Sequence, residues 1–256
     1  MPLTPSPTRS SSTTYSLDGR TFGPYGFDSR FPRLVAFDLD YTLWSGWIDT
    51  HYSAPFTLRA PIVVNSIYDM NGKCLSFYPH IARILHRLQE SQTHIAATST
   101  TQAPQLTREA LALLLVPPPT ERPRERPQRA IDFFESLEIY PESKRVHFSE
   151  MHKKTDIPYS EMLFFGGDPY SDAENHLVER LGVTYIPVKS KLGLTLGAFE
   201  EGVREWRRRR GWAADDSDDD DDDDGDGTDM DISSDEEEEE EDEEDEVEEQ
   251  RSRSMR

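Results

Sequence analysis

Leu34-Val35-Ala36-Phe37-Asp38-Leu39-Asp40-Tyr41-Thr42-Leu43-Trp44-Ser45-Gly46 is the stretch that decides the fold of this chain. Four apolar residues, Leu34 to Phe37, run unbroken into Asp38, Asp40 and Thr42. An apolar run without polar alternation reads as a strand covered on both faces, as in a parallel sheet. Acids at the carboxyl end of such a strand lie where open α/β sheets bind ligands. Asp38 and Asp40 point to one side of an extended backbone, and carboxylates so close repel unless a cation or a shared proton intervenes. A hard, oxygen-ligated ion such as Mg²⁺ answers that repulsion and ordinarily brings a phosphate with it.

Outward from this strand, strand and helix patterns alternate. Trp44 to Phe77 is rich in aromatic and β-branched residues with an Asn71-Gly72 turn signal, and reads as a short flap or hairpin. Ile81, Ile84, Leu85 and Leu88 fall at helical spacing. His94 to Thr98 reads as a second strand ending in the hydroxyl cluster Thr98-Ser99-Thr100-Thr101, with a helix to follow through Leu106, Leu111 and Leu114. Pro117-Pro118-Pro119 opens a charged insert, 116–128, expected to be a mobile surface loop. Ile131 to Leu137 suggests a helix, Glu138 to Tyr140 a brief third strand, and Lys144 to Met151 another helix. Met162 to Phe165, followed by Gly166-Gly167-Asp168, makes a fourth strand, and Val183 to Val188 a fifth. Leu196, Phe199, Val203 and Trp206 place one apolar face on a closing helix. The alternation predicts an α/β fold, a doubly wound parallel sheet with Rossmann-like architecture.

The formal net charge of −22 belongs to one end of the chain. Residues 215–256 hold 26 of the 50 acidic residues and three of the 28 Lys and Arg, which leaves 24 against 25 elsewhere. A nearly unbroken polyanion cannot collapse into a core, so 213–256 reads as a disordered acidic tail that would attract basic proteins. Ser217, Ser233 and Ser234 each have an acid three residues on, the pattern favoured by acidophilic kinases. Residues 1–30, rich in Ser, Thr, Pro and Gly, read as a disordered extension, which leaves one folded domain over 31–212. The basic run Arg207 to Arg210 ends the closing helix, where cations are favoured anyway, so nucleic acid is not an expected partner. One cysteine, Cys74, excludes an internal disulfide and favours a reducing compartment. With no apolar stretch of membrane-spanning length and no secretory h-region, the expectation is an intracellular protein, cytoplasmic or nuclear, and monomeric.

The residue types suit phosphate-ester chemistry, which needs a nucleophile, charge neutralisation and a proton for the leaving group. Asp38 could attack phosphorus, and Asp40 could protonate the leaving alkoxide and then deprotonate water. A hydroxyl such as Ser99 and an ammonium such as Lys144 would hold phosphoryl oxygens, and Asp168 would complete a Mg²⁺ shell. Thr98, Thr100 and Thr101 are chemically equivalent to Ser99 for this purpose, and any of the four would equally cap the next helix. Trp44, Trp47 and His51 suit the mouth of a pocket, or the packing of the flap onto the sheet.

Asp38-x-Asp40-x-Thr42 resembles the first motif of the haloacid dehalogenase (HAD) superfamily. More narrowly, Phe-Asp-Leu-Asp-Tyr-Thr-Leu-Trp with Trp47, Asp49, Thr50 and His51 resembles the eukaryotic magnesium-dependent phosphatase branch. Similar matches recur at Tyr78-Pro79, Ala96-Ala97-Thr98-Ser99, Glu138-Ile139-Tyr140-Pro141, Ser143-Lys144, His152 to Thr155 and Leu181 to Thr184. The resemblance implies a HAD core with a short flap and no large cap domain. It implies Asp38 as nucleophile, Asp40 as general acid/base, Ser99 as phosphate-binding hydroxyl, Lys144 as the accompanying cation and Mg²⁺ as cofactor. By the same resemblance the substrate is a phosphomonoester, a small sugar phosphate or phosphotyrosine; the residues expected on the substrate side are Thr42, Trp44, Ser99 and Thr100.

Two departures stand out. Ser99-Thr100 replaces the Ser-Arg of the family pattern, removing a guanidinium fork that Thr does not replace. Gly166-Gly167-Asp168 replaces Asp-Asp-Glu, so the metal set read from this sequence is Asp38, Asp40 and Asp168, with Asp172 in support. The expected function is a Mg²⁺-dependent phosphoric monoester hydrolase working through an aspartyl-phosphate. The alternative is a catalytically weakened binding module whose acidic tail engages basic proteins.

Overall fold

The computed structural model describes residues 15–17, 20–22, 31–59, 63–120, 122–167, 172–189 and 191–211. Its centre is a sheet of five parallel strands: β1 (Leu34–Phe37), β2 (His94–Ser99), β3 (Ser136–Ile139), β4 (Met162–Gly166) and β5 (Thr184–Pro187). They lie in the order β5-β4-β1-β2-β3. The chain moves outward from β1 through β2 to β3, then returns to lay β4 on the other side of β1. That reversal opens a crevice at the carboxyl ends of β1 and β4, where doubly wound sheets bind ligands.

Four helices of two turns or more cover the sheet: α1 (Ile81–Glu90), α2 (Pro104–Leu113), α3 (Lys144–Thr155) and α4 (Leu196–Arg208). The two-residue period of a strand sorts β1 between two cores. Val35 and Phe37 join the cluster holding Ile84, Leu85 and Leu88 of α1, Ala110 and Leu111 of α2, and Phe199, Val203 and Trp206 of α4. Leu34 and Ala36 face Phe148 and Met151 of α3, with Val178 and Tyr185. Burial on both faces is why the strand reads as an unbroken apolar run.

Several expectations need correction. Ile131 to Leu137 is not a helix: a 3₁₀ turn covers Ala130–Phe133, and β3 begins at Ser136, two residues before the expected strand. Buried polar residues conceal β3. Ser136 meets His94 Nε2 at 2.8 Å, and Glu138 accepts from Tyr140 and Lys154. The flap between β1 and α1 contains a one-turn helix, Ile48–His51, besides the small hairpin Ile67–Tyr68/Cys74–Leu75. Leu115–Val116 pairs antiparallel with Gln128–Arg129, so the insert read as a loop stands on a two-stranded base. Apart from these corrections, Tyr15–Leu17 and Arg20–Phe22 form a short antiparallel pair. The acidic tail and its serines lie outside the described residues. Among those described, no helix is long and apolar enough to cross a membrane.

One polar network runs through the second core. His147 of α3 is fully buried, with Nδ1 2.8 Å from Thr98 Oγ1 and Nε2 3.1 Å from the carbonyl oxygen of Tyr140. Burial, reinforced by the Lys144 charge one turn away, pushes the imidazole down to about 3. The unfolded chain therefore takes up a proton between pH 6.5 and 3 that the folded chain refuses, so this contribution to stability is full above pH 6.5 and lost on acidification. Between pH 6.5 and 5 the stability advantage of the wild type over His147→Asn is expected to narrow by about 1.5–2 kcal/mol in urea titrations.

Helix α4 supplies a second test. A Cβ at Gly202 would fall 2.6 Å from the Phe165 ring, whereas nothing lies within 4 Å of one at Gly197. Gly202→Ala is expected to destabilise by about 1–3 kcal/mol through overpacking, and Gly197→Ala to stabilise by up to ~0.5–1 kcal/mol through helix propensity. Urea midpoints of the two variants should move in opposite directions.

Candidate active site

The crevice between β1 and β4 is closed at its floor by backbone. The Asp38 N–H donates to Phe165 O at 2.8 Å, and the Gly167 N–H donates to Thr42 Oγ1 at 2.7 Å. Thr42 is thus buried as a tie between two strand ends, and its own carbonyl accepts from Leu194 N at 3.0 Å. The Gly167 tie explains the glycine. A Cβ there would sit 2.4 Å from Tyr41 O and 3.1 Å from Thr42 Oγ1, so no acidic side chain fits at 167. At Gly166 a Cβ would meet Asn175 Nδ2 at 2.9 Å. An acid serving this end of β4 must come later in the chain, where the sequence has Asp168 and Asp172. Asp168 lies outside the described residues, and Asp172 opens the short helix Asp172–Asn175.

Asp38 and Lys144 form the centre. The ammonium of Lys144 is wholly buried, 2.9 Å from Asp38 Oδ1, and it also donates to Thr98 O at 2.7 Å. The Leu39 N–H donates to the same Asp38 oxygen at 2.9 Å. Two donors on Oδ1 fix the plane of the carboxylate. Helix α3 brings Lys144 here because its first turn is capped twice: Ser143 Oγ accepts from Val146 N, and Glu174 Oε1 accepts from Lys144 N at 2.9 Å.

Asp40 sits in the loop that leaves β1, and Tyr41 follows it with a left-handed backbone (φ 55°). The Asp40 carboxylate accepts from Trp44 Nε1 at 2.8 Å and from Ile48 N at 3.2 Å, both on Oδ1. Burial, with the charges of Asp38 and Asp49 adding to it, pushes Asp40 up to about 8 against the lowering effect of those two hydrogen bonds. A carboxyl group that keeps its proton at neutral pH is suited to donate one to a leaving group.

Trp44 differs from its expected role. It is fully buried, stacked on Phe77 at 5.9 Å, and touches the site only through its N–H on Asp40. Trp47 is likewise buried, packing edge-on against Tyr41 at 4.8 Å. The tryptophans hold the flap onto the sheet. Ser99, at the end of β2, is buried and its Oγ accepts from Thr101 N at 3.3 Å, while Thr100 is partly exposed beside it.

Two positions escape a reading of the sequence. Asp49 in the flap accepts from Thr101 Oγ1 and from Gln102 N, each at 3.0 Å, and so ties the flap to the hydroxyl loop after β2. His147, one turn beyond Lys144, grips Thr98. Thr101 stood in the hydroxyl cluster, but its partner is 52 residues away. The only local sign of His147 is its spacing of three from Lys144 on one helix face.

Residues 30–209 match the acid phosphatase family. The HAD-like hydrolase superfamily protein P8B7.31 of Schizosaccharomyces pombe is 39% identical over 171 residues, covering 66% of this chain and 92% of its own. Magnesium-dependent phosphatase 1 of Homo sapiens is 32% identical over 180 residues, covering 70% of this chain and 90% of its own. Among solved structures, a HAD-superfamily hydrolase from Ehrlichia chaffeensis covers 69% of this chain and 98% of its own, at 12% identity and a TM-score of 0.42. The family match spans every strand of the central sheet and all four long helices, and this chain belongs to the acid phosphatase family.

Proposed function

We propose that this phosphatase hydrolyses phosphomonoesters with Mg²⁺, Asp38 attacking phosphorus and Asp40 moving the protons. The observation that supports it most is the pairing of two buried carboxylates with unlike surroundings. Asp38 lies 2.9 Å from a buried ammonium, an opposite charge that favours the carboxylate form. Asp40 has no cation against its carboxylate among the described contacts and is pushed up to about 8. Environments that drive two acids apart assign them different tasks, here nucleophile and general acid/base.

The donor set fits a hard divalent cation. Asp38 and Asp40 set two buried carboxyl groups beside the single ammonium of Lys144, and oxygen donors of this kind suit Mg²⁺. The Asp38 carboxylate and the Asp40 main-chain carbonyl would hold the ion, with Asp168 as the acid that follows Gly167 in sequence and Asp172 in support. Bound there, Mg²⁺ would supply positive charge to the phosphoryl oxygens. This chain's own groups do the rest. Asp38, held in plane by Lys144 and Leu39 N, forms the aspartyl-phosphate, with the oxygen–phosphorus bond to the leaving group breaking as the new one forms. Asp40 gives its proton to the leaving oxygen and takes one from the water that later cleaves the acyl-phosphate. Ser99 and Thr100 lie at the carboxyl end of β2, where they would meet phosphoryl oxygens.

The human relative is named a magnesium-dependent phosphatase, which supports the cofactor. Only a short flap separates β1 from α1, and such a site admits a phosphotyrosine side chain as well as a sugar phosphate. Comparing kcat/KM for a phosphotyrosine peptide and a panel of sugar phosphates decides between the two.

Hydrolysis of p-nitrophenyl phosphate is expected to require Mg²⁺ and to fall at least ~10³-fold in Asp38→Asn. Turnover that survives this substitution would sink the assignment of the nucleophile. Asp40→Asn should lower steady-state turnover by about 10²–10⁴-fold. Because p-nitrophenolate leaves without a proton, rapid-quench assays of that variant should trap phosphate on the protein, and absence of a trapped species would count against the two-step route.

A further inference from the structure

We propose that His147 and Thr98 are positioning residues for Lys144: a buried imidazole and a threonine hydroxyl lock α3 onto β2 so that the ammonium is aimed at Asp38. The inference rests on the reading of Asp38 as the nucleophile, and it assigns a task to a buried histidine that the chemistry itself does not use.

Lysine ends in a compact point charge on a flexible stem, so its own side chain does little to fix where the charge lies. Position must come from its surroundings. The ammonium of Lys144 donates to the Asp38 carboxylate at 2.9 Å and to the Thr98 carbonyl at 2.7 Å, and lies 5.7 Å from the centre of the Phe164 ring. Thr98 is therefore one of the two hydrogen-bonded groups that set the place of the charge. The same residue sends its hydroxyl the other way, to His147 Nδ1 at 2.8 Å. Lys144 and His147 are three apart on α3 and so lie on one face of the helix. A single residue of β2 thus holds two successive points on that face, and two points fix the rotation of the helix as well as its distance.

Which way the protons run follows from the outer partner. His147 Nε2 lies 3.1 Å from the carbonyl oxygen of Tyr140, a group that only accepts. Nε2 must then carry the hydrogen, which leaves Nδ1 as acceptor and Thr98 Oγ1 as donor. The Tyr140 ring closes over the imidazole edge-on at 4.3 Å, and the whole side chain is buried. The titratable groups facing the imidazole are Lys144 on its own helix and Tyr140 beyond β3; Thr98 on β2 is uncharged. Burial and the Lys144 charge both keep the ring neutral. The arrangement has one consistent direction: Tyr140 O accepts from His147, which accepts from Thr98, whose carbonyl accepts from Lys144.

The test uses Thr98→Val, which keeps the shape and the carbonyl but removes the hydroxyl, and Thr98→Ser, which restores it. Three readouts apply to the full chain: p-nitrophenyl phosphate kinetics with Mg²⁺, ¹⁵N–¹H correlation of the His147 ring, and proton exchange of the Lys144 ammonium by NMR. In the wild type at pH 5, His147 should be neutral with its proton on Nε2. Thr98→Val should lower kcat by roughly ten- to a hundredfold with KM within about twofold, as expected for a misplaced group, and Thr98→Ser should stay within about threefold of wild type. Exchange of the ammonium protons should quicken in Thr98→Val and not in Thr98→Ser. Unchanged kcat in Thr98→Val, a serine variant no better than valine, or an imidazole charged or protonated on Nδ1 at pH 5 would each overturn the proposal. Should the wild type show no turnover above Asp38→Asn, the assigned chemistry fails, and the exchange rates and the tautomer still decide the positioning. If Thr98→Val does not fold, the wild-type tautomer and the serine variant decide it.

Discussion

Charge balance in a closed space governs this molecule. The ammonium of Lys144 and the carboxylate of Asp38 are both withdrawn from water and lie 2.9 Å apart. Neither could be buried alone, since an uncompensated interior charge is far more costly than a paired one. The pair also has to be satisfied beyond itself, which explains the carbonyl of Thr98 on one side and the amide of Leu39 on the other. With Asp40 ionised the group would carry one negative charge in excess. The protein meets that excess at Asp40 with an indole N–H and a backbone amide, and its proton affinity rises all the same. At neutral pH that excess is met by a proton on Asp40, a place that a cation can take instead.

The sheet topology turns this balance into a place for substrate. Because the chain reverses direction after β3, the ends of β1 and β4 lie side by side without a helix between them. Thr42 and Gly167 then bring the two strand ends into direct hydrogen-bonded contact. That closeness excludes any side chain at Gly167, and with it a carboxylate at a place where the resemblance leads one to look for it. The glycines and the later acids are two sides of one geometric choice.

Much of this was legible in the sequence because apolar periodicity reports burial directly. Leu34 to Phe37, Met162 to Phe165 and the helical spacing in α1 and α4 each announced the face they bury. Strand β3 did not, because Ser136 and Glu138 are buried polar residues with partners at His94 and Lys154, and a linear pattern shows no such pairing. Asp38 and Asp40 stood out by type and by resemblance and Lys144 by resemblance, and the structure brings Lys144 onto Asp38 directly and Asp40 into the same buried group. The role of Trp44 did not follow from its type, since an indole that lines a pocket and one that holds a carboxylate from within the core look alike in a sequence. Asp49 with Thr101, and His147 with Thr98, depend on contacts between residues about fifty positions apart.

The antiparallel pair Leu115–Val116/Gln128–Arg129 gives the Pro- and Arg-rich segment above it a separate standing. Leu114 and Ala130 continue the ladder through a backbone hydrogen bond of 2.8 Å, and both are buried in the main core. The ends of the segment are therefore held together whatever lies between them. Lengthening a loop whose ends are already fixed costs little, about 0.6 kcal/mol for each doubling. The span from Pro117 to Pro127 is thus a port in the fold, where sequence can be exchanged or a reporter peptide grafted without disturbing the carboxyl edge of the sheet.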